Sequence, residues 1–286
     1  MSKRFLSDAA RKRLRHVRVG PGPVDLSRFP DFLIIGPQRT GTTWIHENLR
    51  DHPDILWPRE KEIFYFSRLK TPDHPKFVSA DLEWYLAQFH DPLWLRAVKT
   101  ALSFRSSQSL YRPRVRGEAT ASYAAMDRDV IEEIVALNPR IRAIMMIRNP
   151  IDRAWSHAKK DLVRNRGRRF EDVSEREFEE FFRDPYQLRC AQYAKNYENW
   201  SACLAKGHLF VGKFDDVAAR PVQLLGDICR FLAVRDDRRY LGRAVDRPVN
   251  PTAAEPIPER YRAMLSRLLA AEIEELERKF EMTWER

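Results

Sequence analysis

The stretch FLIIGPQRTGTTWIHENL, residues 32–49, constrains the chain more than any other. An apolar run of strand length, residues 32–35, leads into Gly36; four residues separate it from Gly41, and Thr42, Thr43 and a helical pattern follow. The two glycines let the backbone turn tightly and come close to an anion. The helix behind them aims its free N–H groups and the positive end of its dipole at that anion. Thr42 and Thr43 add hydroxyl donors, so the spacing predicts a phosphate site between strand and helix. A nucleoside-triphosphate loop of the form G-x-x-x-x-G-K-[ST] would carry lysine where Thr42 stands. Without it, transfer of a γ-phosphate loses a main source of charge stabilisation. Arg39 lies inside the loop instead, within reach of a bridging or leaving oxygen of a bound ligand.

A second strand-to-helix junction lies in IMMIRNPIDRAWSHAKK, residues 144–160. Residues 141–147 form a continuous apolar run, which suits a strand covered on both faces. Asn149 can cap the next helix, Pro150 fits its first position and Asp152 its first turn. Arg148 falls at the C-terminal edge of the strand, where open α/β sheets bind ligands, and Ser156 lies two turns into the helix.

The rest of the pattern reads as alternating strands and helices, hence an α/β layered fold with a parallel sheet. Helices are expected at 81–89, over DRDVIEEIVALNP at 127–139, and as one long amphipathic element from Tyr261 to Phe280; a strand is expected at 208–214. The polar, arginine-rich stretch between Lys99 and Arg116 reads as a long loop over a binding site. Of the net charge of +10, most sits in residues 1–18, where seven basic residues face Asp8 alone. Residues 1–30 therefore read as a basic tail followed by a Pro- and Gly-containing linker, and 31–286 as the domain. Such a tail packs loosely on the domain or touches anionic lipid; no specific nucleic-acid partner is expected. Cys190, Cys203 and Cys229 show no metal or disulfide spacing. No apolar stretch suits a membrane span or a secretory signal, so the cytoplasm is the expected location.

The segment GPQRTGTTWI resembles the 5′-phosphosulfate loop of the PAPS-dependent sulfotransferases. The likeness is to their carbohydrate and bacterial branch, which includes the sulfotransferase domain of heparan sulfate N-deacetylase/N-sulfotransferases. It implies a P-loop-like three-layer α/β/α fold with a central parallel sheet. It also implies 3′-phosphoadenylyl sulfate (PAPS) as co-substrate, with no metal. The donor has no triphosphate, which accounts for the absent lysine. By this resemblance Arg39, Thr40, Gly41, Thr42, Thr43 and Trp44 hold the phosphosulfate, with Arg39 at its bridge. The second junction resembles the family's R-[DN]-P-x-[DE]-R-x-x-S, which assigns Arg148 and Ser156 to the 3′-phosphate and gives Arg153 a structural contact.

The segment PREKEIFYFSR resembles K-E-x-x-[FY]-F, which makes Glu62 the general base and Lys61 a supporting charge. Phe64 stands where heparan O-sulfotransferase relatives often carry histidine. RGEATASY resembles a strand and loop lining the acceptor cleft, in which Glu118 and Tyr123 either touch substrate or are structural. QYAKNYENW resembles a helix of bacterial members, which implies Tyr193 near the nucleotide, while Trp200 reads as core; RPVNPT around Asn250 stands where the family places a loop over the cofactor. The arginines of residues 164–169 form a solvated face or grip an anionic acceptor. The resemblance implies transfer of a sulfuryl group from PAPS to a hydroxyl or amine of a carbohydrate or glycolipid. A P-loop kinase or NTPase, and a non-catalytic basic binding protein, are the alternatives.

Overall fold

Runs of apolar residues with no polar alternation form strands that both faces of a sheet can bury. The computed structural model, which describes residues 4–242, 245 and 256–284, contains five strands, and the first and fourth in chain order are apolar runs of this kind. The five are β1 (Phe32–Gly36), β2 (Ile55–Leu56), β3 (Val115–Ala119), β4 (Arg142–Ile147) and β5 (Leu209–Lys213). All pair in parallel in the order β2-β3-β1-β4-β5, with Phe32 level with Gly117 on one side and Arg142 on the other.

Alternate side chains feed two different cores. Leu33, Ile35, Ala143 and Met145 pack with Phe29, Tyr85, Ile131, Ile134 and Trp200 on one face. Phe32, Ile34, Ile144 and Met146 pack with Trp44, Ile45, Leu225 and Ile228 on the other. Helices Arg128–Leu137 and Tyr193–Cys203 thus cover one side, and Thr42–Leu49 and Pro221–Leu232 the other. The result is the three-layer α/β/α arrangement with a parallel centre. A third cluster lies beside the sheet, where Trp155, Phe178 and Tyr261 tie Pro150–Ala158 to Glu175–Arg183 and Glu259–Leu268.

Three expectations change. The stretch between Lys99 and Arg116 is not a loop over a site: helix Leu93–Ser107 occupies its first half. Its buried positions are Ser103 and Ser107, so the usual apolar signature of a core-facing stripe is missing. The long C-terminal helix is two, Glu259–Leu268 and Ala270–Phe280, meeting at Leu269. The bend lets one apolar stripe serve two clusters: Leu265 and Leu269 join Trp155, while Leu276 joins Ile147 and Tyr193. Residues 4–30, finally, are clamped on the domain rather than loosely packed. Leu6, Val17, Val24, Leu26 and Phe29 are buried in the first core. Arg4 donates to Asn138 Oδ1 at 2.8 Å, and the Val17 amide donates to Glu133 at 2.9 Å.

Cys190 and Cys229 are buried and Cys203 is half-buried, all as free thiols. Among the described residues no helix is long and apolar enough to cross a membrane. The expected cofactor loop around Asn250 lies outside the described residues.

Candidate active site

The site begins where β1 ends. Gly36 has φ +100°, and a Cβ there would stand 2.2 Å from the Ala121 carbonyl oxygen, so no other residue fits this turn. Gly41, at φ +91°, precedes the helix without a side-chain cap, which leaves the first-turn N–H groups of Thr42–Leu49 unclaimed by a capping side chain. Thr42 and Thr43 line the cleft in front of that terminus. Thr40 and Trp44 do not. The Thr40 hydroxyl donates to Pro37 O at 2.7 Å and closes the loop from within. The buried Trp44 donates from Nε1 to Val245 O at 3.2 Å.

β4 is the hydrogen-bonded neighbour of β1, so the two strands deliver their loops to one sheet edge. Asn149 caps Pro150–Ala158 through bonds from the amides of Ile151 and Asp152, and this fixes the helix that carries Ser156. The two junctions then interlock. Arg39 Nε donates to Ser156 Oγ at 2.9 Å, and Arg148 Nη1 donates to the Arg39 carbonyl at 3.0 Å. The Arg148 guanidinium lies 4.4 Å from the centre of the Phe214 ring, and its amide donates to the Tyr193 hydroxyl at 3.4 Å. Arg148, Ser156 and Tyr193 stand behind the loop rather than in the cleft lining. Arg153 is buried, reaching Gln187 O at 3.3 Å, a structural contact.

Glu62 enters from the third direction. Its amide donates to Ala119 O at 3.0 Å, which pins it to the end of β3, and Lys61 Nζ lies 2.9 Å from its Oε1. Arg39, Glu62 and Phe64 have φ of 70°, 66° and 59°. Non-glycine residues in this left-handed region are uncommon and cluster at functional sites. Glu118 and Tyr123 do not face the cleft. Glu118 is fully buried and accepts bonds from the hydroxyls of Tyr85, Thr120 and Tyr123. Burial pushes its carboxyl above the usual range. This network holds the end of β3, and with it the carbonyl that holds Glu62. Trp200 lies in the core and donates to Tyr123 O at 3.2 Å.

The cleft, of about 350 Å³, brings Arg39, Thr42, Thr43 and Glu62 together. Lys76, Lys160 and Arg164 join them, and the motifs did not mark the two lysines. Lys160 and Arg164 arrive because Pro150–Ala158 runs into a π-helical turn, Lys159–Val163, a rare local geometry frequent at functional sites. Lys160 follows Ser156 by four residues, a same-face spacing visible in the sequence. Lys76, in a loop with its Nζ 4.2 Å from the centre of the Phe64 ring, had no such signal. The arginine cluster divides: Arg164 lines the cleft, Arg166 and Arg168 pair with Glu177, and Arg169 pairs with Asp172.

Positive charge is crowded here. Burial, then the neighbouring Arg148 and Arg164, lowers Arg39 to about 10, against an opposing pull from Asp161. Burial also lowers Arg148, and it lowers Lys160, with Arg39 and Lys76 adding and Asp161 and Glu62 opposing. An anion bound among these groups relieves their mutual repulsion and their desolvation.

The model of the sulfotransferase family matches residues 30–238. The chain belongs to that family. Among curated members, the human bifunctional heparan sulfate N-deacetylase/N-sulfotransferase 2 is 26% identical over 237 residues, covering 79% of this chain and 24% of that protein. The Drosophila melanogaster bifunctional heparan sulfate N-deacetylase/N-sulfotransferase is 23% identical over 239 residues, covering 78% and 21%. The chain thus spans about a quarter of the length of these relatives. The crystal structure of a sulfotransferase from Alicyclobacillus acidocaldarius superposes with a TM-score of 0.60 at 25% identity, covering 89% of this chain and 97% of that one.

Proposed function

We propose that the chain transfers a sulfuryl group from PAPS to a hydroxyl or amine of a carbohydrate or glycolipid acceptor. One observation carries the donor assignment: Arg39 bonds Ser156 while Arg148 bonds Arg39, so two anion-binding junctions act as one unit. A ligand with anionic groups at two ends suits it, and the uncapped helix and crowded cations fit such a ligand.

PAPS supplies an activated sulfuryl group whose leaving group is the phosphate of PAP. In this reading the amides at the start of Thr42–Leu49, with Thr42 and Thr43, hold the 5′ end. Arg148 and Ser156 hold the 3′-phosphate; the planar fork of Arg148 can donate two parallel bonds. Tyr193 supports Arg148 from behind, and the remaining loop residues, Thr40, Gly41 and Trp44, fix the shape of the cradle. Glu62 takes the proton of the acceptor as its oxygen or nitrogen attacks sulfur. The sulfur–oxygen bond to phosphate breaks, and Arg39 meets the charge left on that oxygen.

The acceptor class follows the human relative, whose name gives heparan sulfate. Lys61, Lys76, Lys160 and Arg164 around Glu62 favour an acceptor that is itself anionic. The cytoplasm remains the proposed location. Labelled sulfate transfer from PAPS to a panel of sugars, sulfated glycans and glycolipids tests the reading. Transfer to at least one acceptor supports it. Binding of Mg²⁺–ATP with phosphate release, and no sulfate transfer, supports a P-loop NTPase instead.

A further inference from the structure

Helix Leu93–Ser107 is built inside out. Its buried residues are Ser103 and Ser107. Leu93, Trp94, Val98, Leu102 and Phe104 are 85%, 68%, 48%, 60% and 58% exposed. At roughly 3.6 residues per turn these five, with Ala97 and Ala101 between them, fall on one half of the helix. Of the ten large hydrophobic residues exposed among the described residues, six lie between Leu93 and Leu110, so this is a patch and not a scatter.

The charge within the segment itself has one sign. Residues 92–116 contain no Asp or Glu. Lys99 turns inward to Asp91, at 2.8 Å. Arg96, Arg105, Arg112 and Arg114 are exposed. None of these four makes an ion pair among the described residues. A second copy packed about a two-fold axis would set these arginines against each other, and the segment itself supplies no acid to meet them. An anionic lipid surface complements both features, because apolar side chains enter the acyl boundary while arginines stay at the phosphate level.

We propose that Leu93–Ser107 is an interfacial helix that seats the protein on anionic membranes. The helix borders Arg50 and Asp51, just past the end of Thr42–Leu49 that points away from the cleft. A chain seated on it keeps its cleft open to the aqueous phase. The clamped N-terminal strap is not required for this contact.

Flotation of the full chain with vesicles of phosphatidylcholine, alone or mixed with phosphatidylglycerol, is the test. The chain is expected to float with the mixed vesicles and far less with the neutral ones. The double variant Trp94→Asp/Leu102→Asp and, separately, Arg96→Glu/Arg105→Glu are expected to lower the bound fraction about tenfold. Thermal melting of both should match the parent, since the substituted side chains are exposed. Higher salt should weaken parent binding. No flotation of the parent, or equal flotation of the apolar variant, overturns the proposal. So does a parent dimer in sedimentation that the same substitutions dissolve, which would give the face to a second copy.

Discussion

Arg39 and Ser156, 117 residues apart in sequence, meet at 2.9 Å from Nε to Oγ. The contact joins the loop after β1 to the helix after β4. Two segments that each read as an ordinary strand-to-helix turn therefore form one cationic surface, with Arg148 bonded to the carbonyl of Arg39 behind it.

Removing the Glu62 carboxylate should separate chemistry from donor binding. Glu62→Gln keeps the side-chain shape but cannot take a proton. Turnover is expected to fall about 10²–10⁴-fold, with PAP affinity within about twofold of the parent. Steady-state rates and titration calorimetry read the two effects. Unchanged turnover would remove Glu62 from the role of base.

Lys160 predicts a different split. It stands among Arg39, Glu62 and Lys76 in the cleft, and burial already works against its charge. Lys160→Met should lower turnover by roughly tenfold or more, since one preorganised charge beside the reacting group is lost. It should stabilise the ligand-free protein slightly, because a desolvated cation beside other cations is gone. A rate loss accompanied by a fall in melting temperature would instead mark Lys160 as a packing residue.

Gly36→Ala tests the turn itself. A Cβ at φ +100° would stand 2.2 Å from the Ala121 carbonyl oxygen, so backbone must move. A loss on the order of 3 kcal/mol in stability is expected, through strain at a special backbone position. Denaturant unfolding reads it, and PAP binding should weaken with it.

Strands β1, β4 and β5, the two motifs and the parallel α/β class were legible because each rests on local signals: apolar runs, glycines at a turn, Asn-Pro at a helix start; β2, of two residues, and β3, with Arg116 and Glu118 inside it, carry no such run. Arg39, Arg148 and Ser156 were also legible as candidates, but their contact depends on β1 and β4 being neighbours, a tertiary fact. Lys76 and the left-handed backbone of Glu62 and Phe64 carried no local mark. Leu93–Ser107 was missed because its burial pattern is inverted, with serines inside. The strap of residues 4–30 was misread because its buried side chains, such as Leu6 and Val24, are isolated among basic residues.

Acid should draw a destabilising contribution from two buried histidines. His52 and His157 are buried, and burial lowers both below the ordinary histidine value of 6.5. The unfolded chain therefore binds protons that the fold resists, so their contribution is present above 6.5 and is lost as pH falls below it. Each histidine accounts for at most about 1.4 kcal/mol per pH unit. Melting temperatures from pH 8 to 5 should fall less steeply in His157→Gln than in the parent. Parallel curves would contradict this.

Titration calorimetry of the parent and of Arg148→Ala with PAP, each with and without Mg²⁺, tests most directly whether the two junctions grip one donor. The parent should bind PAP equally well with and without the metal, and Arg148→Ala should bind it about 10- to 100-fold more weakly with its fold intact. Equal PAP affinity in the two proteins, or tight binding of Mg²⁺–ATP in place of PAP, would contradict it.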